Sequence, residues 1–271
     1  MSASLTYAEW LTGVPALVAD VAESWGLTPG RAYSPGAAGH VVQVALPDGT
    51  PAVLKLAFPH READHEADAL ERWDGDGAVR LLARDDARRA MLLERCEAGV
   101  TLSTIDTEPA LDVLVHLLPR LWKTGDGFTT FEDELPYVED EIAAAADPRL
   151  RDAAFAYLRD LVPTQDELVL VHQDLHGDNV LSAEREPWLV IDPKPIAAER
   201  EYSVAPIVRS PELGHSKRQV LYRLDRLCAD LSLDRDRARA WAVVQTVAWS
   251  DGANPIRTHV DVATWLLEDA A

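Results

Sequence analysis

Cysteine is almost missing from this chain of 271 residues: Cys96 and Cys228 stand far apart, and no CxxC pair occurs. That excludes a disulfide framework and a thiolate zinc site. Long apolar runs are missing too. No stretch reaches the ~18 apolar residues of a membrane-spanning helix. Residues 1–30 hold no lysine or arginine and no apolar core of an export signal. A cytoplasmic protein, monomer or homodimer, is the expectation. Positive charge is in short supply, with 26 basic residues against 46 acidic ones and a net charge of −20. Such a field repels a phosphate backbone or an anionic lipid surface, which argues against nucleic acid or membrane as a partner. Four of the bases are lysines (Lys55, Lys123, Lys194, Lys217), and the two asparagines are Asn179 and Asn254. Scarcity makes each of these positions informative.

What the sequence does have is 47% apolar residues, enough to fill a core at a length that accommodates two lobes. Residues 9–25 have helical periodicity, and 41–45 and 52–57 read as strands around a Pro47, Asp48, Gly49 turn. A helix is predicted over 62–73, stopped by the Gly-rich 74–77, and two more strands over 79–83 and 91–94. Residues 1–96 therefore read as a small antiparallel-sheet lobe with one inserted helix. Past Gly99 the spacing turns helical, at 110–122, 139–146 and 149–161, then 216–231, 234–249 and 256–268. Short strands at 168–172, 180–181 and 188–191 interrupt it. The expectation is an α+β, bilobal fold, with residues 97–271 as the larger helical lobe and one cleft between the lobes.

The most specific segment is LVLVHQDLHGDNVL, residues 168–181, in which His172, Asp174 and Asn179 keep the H-x-D-x-x-x-x-N spacing of a kinase catalytic loop. Phosphoryl transfer needs a carboxylate to orient the attacking hydroxyl and accept its proton, and a nearby amide oxygen to hold magnesium on the nucleotide phosphates. Asp174 and Asn179 fit those roles. The apolar strand that follows ends in Asp192, a second hard-oxygen ligand for magnesium. A zinc reading also stands, because His172, Asp174, His176 and Asp178 alternate and would share one face of an extended strand. Gly177 argues against a continuous strand, and His176 and Asp178 read equally as hydrogen-bond braces of the loop.

Lys55 lies in the apolar run Val53 to Leu56, where a charge is costly unless something needs it. A kinase needs a lysine there for the α and β phosphates of ATP, held by a helical glutamate. Glu66 is the expected partner, with Glu62 one turn earlier as the alternative; an edge-strand lysine facing water is the plain reading. Gly36 and Gly39, in SPGAAG just before the first hairpin strand, are placed to cover the phosphates, although an ordinary turn has the same composition. Glu94 to Cys96 leads out of the sheet lobe, where backbone groups would meet adenine.

These residues carry a resemblance. The run LVHQDLHGDNVLSAEREPWLVIDPKP, with VLKLAF, HEADALERWDG and MLLERCEAGVTL before it, is similar to the aminoglycoside phosphotransferases, most closely the branch with streptomycin and hydroxyurea phosphotransferases. It covers about residues 36–249. The resemblance implies a protein-kinase-like fold, Asp174 as catalytic aspartate, Asn179 and Asp192 as magnesium ligands, Lys55 with Glu66 at the nucleotide phosphates, and Lys194 near them. Three positions depart from the family pattern: Gln173 replaces a glycine, Pro195 another, and Ser203 an aspartate that braces the loop, a task left to Glu199 or Glu201. The expected activity is ATP- and magnesium-dependent phosphorylation of a hydroxyl on an aminoglycoside or aminocyclitol. A metabolic kinase for a sugar, amino alcohol or amino acid derivative is the alternative, and a nucleotide-binding pseudoenzyme a further one. Glu132 to Glu134 with Glu139 to Glu141 would attract a cationic acceptor, or would simply be a solvated acidic face. Trp241, Trp249 and Trp265 have core spacing, and Trp241 or Trp249 could border the acceptor.

Overall fold

The computed structural model describes residues 5–33, 39–250, 252 and 254–270; Gly36 lies outside them. Helix α1 (Tyr7–Trp25) starts at a reciprocal capping box between Thr6 and Glu9 and stops at Gly26, whose φ of 65° suits glycine. Then come β1 (Thr28–Ala32), β2 (Gly39–Ala45), β3 (Pro51–Ala57), a short 3-10 turn at Arg61–Ala63, α2 (Glu66–Trp73), β4 (Leu81–Asp85) and β5 (Ala90–Glu94). The strands form one antiparallel sheet in the order β1-β2-β3-β5-β4. Strand alternation explains why an apolar central strand carries a lysine. Ala52, Leu54 and Leu56 of β3 pack with Val14 and Val21 of α1 and with Val42 and Val44 of β2, so Val53 and Lys55 face the opposite side, toward the rest of the molecule.

The second part holds α3 (Thr107–Leu121), α4 (Phe131–Ala144), α5 (Pro148–Leu161), the short strands β6 (Val169–Val171), β7 (Val180–Ser182), β8 (Trp188–Val190) and β9 (Ile196–Ala198), then α6 (Ala205–Arg209), α7 (Lys217–Leu231), α8 (Arg235–Ala248) and α9 (Arg257–Glu268). Strand β6 pairs with β9 and β7 with β8, both antiparallel. Helix α8 is buried from Ala238 through Ala248 and packs on α4, α5, α6, α7 and α9, which makes it the central post of this part. One apolar core runs from Trp73 and Leu93 through Leu114 and Leu189 to Trp241. Backbone bonds Val79 N to Val190 O (3.0 Å) and Val190 N to Gly77 O (2.9 Å) tie the sheet part to β8, which pairs with β7 just after Asn179.

Three elements have no counterpart in the periodicity. β1 is exposed throughout and exists by pairing with the edge of β2; β9 is three residues long; α6 is a five-residue turn buried on all sides. The helix expected over 62–73 is split, because His60 caps the 3-10 turn and α2 proper begins at Glu66. Helix α4 begins at Phe131 instead of 139, since Thr130 and Asp133 form a capping box and Pro136 sits on its exposed side, where one lost backbone bond is tolerated.

Candidate active site

Lys55 is 7% exposed and Glu66, the first residue of α2, 2%. The Lys55 ammonium donates to Glu66 Oε1 at 2.5 Å and to the Asp192 carboxylate. Burial works against the lysine's charge, but the two carboxylates outweigh it and raise its pKa. Burial pushes Glu66 up to about 7, the Asp192 charge adding to the effect against the pull of Lys55. Asp192 is held below the usual carboxylate range: burial raises it, and the charge and hydrogen bond of Lys55 more than offset that. One cation between two carboxylates leaves an excess negative charge, and the more enclosed Glu66 takes up a proton first. Glu62 is not the partner of Lys55; it lies 3.7 Å from Lys194.

Beside this cluster, between the sheet and Leu181, Ile191 and Asp192, opens a cavity of about 320 Å³ whose walls include Val41, Val53, Val79 and Leu93. Gly39, Glu94, Cys96 and Tyr33 also border it. Gly39 has a structural reason as well, since a Cβ there would lie 2.7 Å from the Leu56 carbonyl oxygen. The Glu94 carboxylate is committed to Arg185 (2.8 Å) and to the Arg80 N–H (3.0 Å), so toward the cavity Glu94 offers backbone. Burial pushes the Cys96 thiol up to about 11, and both cysteines are free. An apolar slot with an ammonium at one end can take a flat heterocycle joined to an anion.

The candidate catalytic segment, residues 168–181, is built from strand ends. β6 delivers His172, which is 2% exposed and stacked on Trp73; burial lowers its pKa to about 4. It is neutral, and its two contacts fix the tautomer: Nε2–H donates to Ile191 O (2.9 Å), leaving Nδ1 to accept the Asp174 N–H (3.3 Å). Asn179 closes a 3-10 turn (Gly177–Asn179) and donates Nδ2–H to the Asp174 carbonyl (2.8 Å), while its own carbonyl accepts the Ile191 N–H (3.0 Å). Thus the Asp174 and Asp192 loops are laced together through Asn179. The Asp192 side chain is 43% exposed. With the Asn179 amide oxygen it offers the hard oxygen donors that a divalent cation takes.

The alternative zinc face does not form, because His172 and Asp174 are engaged elsewhere. Among the described residues His176, Asp178 and Glu212 do come within metal-ligand reach of one another. They are already used: His176 Nδ1 pairs with Glu212 Oε1 (3.0 Å), which also accepts the Gly177 N–H (3.2 Å), and Asp178 accepts from Ser103. This is the loop bracing expected of His176 and Asp178. Gly177 packs tightly on Ser103, whose backbone nitrogen would lie 3.0 Å from a Cβ at that position.

Asp174 has two cationic neighbours. Lys194 Nζ is 3.0 Å from Oδ2, and Arg209 Nη2 is 3.5 Å from Oδ1. Arg209 was not legible as a site residue, although a charge inside the buried run Ala205–Arg209 was the available signal. Trp249 borders this pair, whereas Trp241 is wholly buried and donates its indole N–H to Glu199. Glu199 also accepts from Arg237 (2.5 Å) and so braces α8; Ser203 accepts from Trp122 (3.1 Å). The acidic segment is not one free face. Asp133 caps α4, Glu134 and Glu141 both bind Arg61, and Glu132, Glu139 and Asp140 remain exposed.

Residues 24–253 match the family model described as aminoglycoside/hydroxyurea antibiotic resistance kinase. The chain belongs to that family. It is 38% identical over 268 residues to the streptomycin 6-kinase of Streptomyces griseus, an alignment covering 91% of this chain and 87% of that one. It is also 38% identical over 257 residues to the hydroxyurea phosphotransferase of Kitasatospora aureofaciens, with 89% and 74% covered. Among solved structures, a choline kinase from Streptococcus pneumoniae superposes with a TM-score of 0.67 at 12% identity, over 95% of this chain and 99% of that one. The fold is the protein-kinase-like one, and this kinase is a phosphotransferase with a hydroxyl acceptor. No helix among the described residues is long and apolar enough to cross a membrane.

Proposed function

We propose that this kinase moves the γ-phosphate of ATP to a hydroxyl of an aminoglycoside or aminocyclitol of the streptomycin kind, in the cytoplasm. Residues 1–96 would supply most of the nucleotide site, and residues 97–271 the catalytic loop and acceptor site. The reading is carried by one observation: Asp174 and Asp192 stand on two loops laced through Asn179, beside an apolar cavity that Lys55 closes with a cation. The acceptor's proton passes to Asp174 as its oxygen bonds to the γ-phosphorus and the bond from that phosphorus to the ADP oxygen breaks. Lys55, held by Glu66, meets the phosphates, and Gly39, at the start of β2, lies over them. The backbone from Glu94 to Cys96 meets the adenine. Lys194, beside Asp174, offsets negative charge between base and phosphate. Asn179 and Asp192 would hold magnesium, which neutralises phosphate charge when bound.

Streptomycin is a polycation and hydroxyurea is neutral, and relatives named for each match this chain equally, at 38% identity. The net charge of −20 favours the cation. The two carboxylates separate the roles. Asp174→Asn is expected to abolish transfer while ATP affinity stays within about threefold, and Asp192→Asn to weaken magnesium-dependent nucleotide binding. Nucleotide titration beside turnover checks both; near-full turnover of Asp174→Asn would remove the catalytic assignment.

A further inference from the structure

Arg209 is the last residue of α6, and its side chain is 7% exposed. Burial lowers its pKa, and Asp174, Tyr202 and Glu212 counter that. A buried guanidinium persists only where its donors and charge are answered. Arg223, also buried, spends its two terminal nitrogens on structure alone: they donate to four backbone carbonyls, those of Val208, Ser210, Leu213 and Gly214. Arg209 is spent differently. Its Nη1 donates to Gln245 Oε1 (3.0 Å), its Nη2 faces Asp174 Oδ1 (3.5 Å), and its Cζ lies 4.4 Å from the centre of the Trp249 ring.

Gln245 completes the arrangement. It is 1% exposed on α8, and its Nε2–H donates to the carbonyl of Gln173 (2.9 Å), the residue immediately before Asp174. Gln173 has φ of 63°, a left-handed conformation that is unfavourable for a residue with a side chain. Its own amide donates to Tyr202 OH (3.1 Å). So Arg209 and Gln245 together fix the Asp174 backbone and one carboxylate oxygen. The other oxygen meets Lys194, which is 22% exposed and lies 4.7 Å from the same Trp249 ring. One cation is enclosed and the other reaches the surface.

We propose that Arg209 is a positioning residue for Asp174: with Gln245 and the Trp249 ring it pins Oδ1, and Oδ2, the oxygen beside Lys194, faces the acceptor hydroxyl. A contact at 3.5 Å is a marginal hydrogen bond, so the guanidinium acts chiefly as a fixed charge beside Oδ1. The inference rests on Asp174 being the base, and the test separates the two. Arg209→Ala is expected to lower kcat by about 10- to 100-fold with KM for ATP within about threefold, and added guanidinium ion to restore part of the kcat, because the lost group is a charge in a defined place. Arg209→Lys should keep more activity than Arg209→Ala. Gln245→Leu, which leaves the guanidinium in place, should give a smaller loss of kcat and no response to guanidinium. If Asp174→Asn is inactive but Arg209→Ala turns over normally, or loses activity only in step with its folded fraction and is not rescued, the positioning role is overturned. If Asp174→Asn is active, the base assignment itself has failed. Should Arg209→Ala not fold, Arg209→Lys and Gln245→Leu decide: both with unaltered kcat would also overturn the inference.

Discussion

Lys55 shows most plainly how a single residue carries the site. An ammonium in the middle of a sheet is expensive to bury, and removing one partner of such a group costs about 3–5 kcal/mol because the rest is left uncompensated. The chain accepts this because β3 must present a cation to the cavity, and it supplies Glu66 and Asp192 as the answering charges. The proposed roles are asymmetric: Lys55 would meet the phosphates, whereas Glu66 holds Lys55. Lys55→Met is therefore expected to raise KM for ATP and lower kcat more than Glu66→Gln does, the latter costing about tenfold or less. Glu66 is already pushed up to about 7 and takes a proton near neutrality, which is why its amide is the milder change. Steady-state kinetics with both variants decide the order, and a larger loss for Glu66→Gln would reverse the assignment.

The loop between β6 and β8 is the element on which the site depends, and His172 is its keystone. Its neutral ring joins Ile191 to Asp174, so it must stay unprotonated. With a folded pKa of about 4 against an ordinary 6.5, the unfolded chain binds the extra proton between those values. His172 thus contributes fully above pH 6.5, and stability falls as pH drops toward 4, by roughly 3 kcal/mol in all. Glu66, raised, acts in the opposite sense between its ordinary value and about 7, so the His172 contribution must be read as a difference. Denaturant unfolding of wild type and His172→Gln across that range should show the steeper acid decline in the wild type; parallel curves would mean His172 is not held neutral. This loop was legible in the sequence because its chemistry fixes spacing, from His172 to Asp174 to Asn179. The Lys55–Glu66 pair was legible because a charge stood in an apolar strand. β1, β9 and α6 were not, since pairing and enclosure by distant segments create them without any period of their own. Arg209 reaches Asp174, and Gln245 the Gln173 carbonyl, only through α6 packing on α8, a contact between segments far apart in sequence.

Taken whole, the molecule is a polyanion whose Asp192 and Asp174 are each answered by a lysine, Lys55 and Lys194. Its net charge of −20 acts over a Debye length of about 8 Å near 0.15 M salt. KM for a polycationic acceptor should therefore rise with ionic strength while kcat changes little, and KM for a neutral acceptor should stay flat. Equal salt dependence for both would show that the field plays no part in capture. Within that field the segment from Glu132 to Glu141 supplies less free charge than its composition suggests, because Arg61 answers Glu134 and Glu141. The most direct test of the account is the acceptor product itself: the mass of streptomycin, and in parallel of hydroxyurea and a neutral sugar, after incubation with enzyme, ATP and magnesium. The account predicts a single added phosphate on streptomycin, absent with Asp174→Asn. ATP hydrolysis with streptomycin unchanged, or phosphate found only on a neutral acceptor, would contradict it.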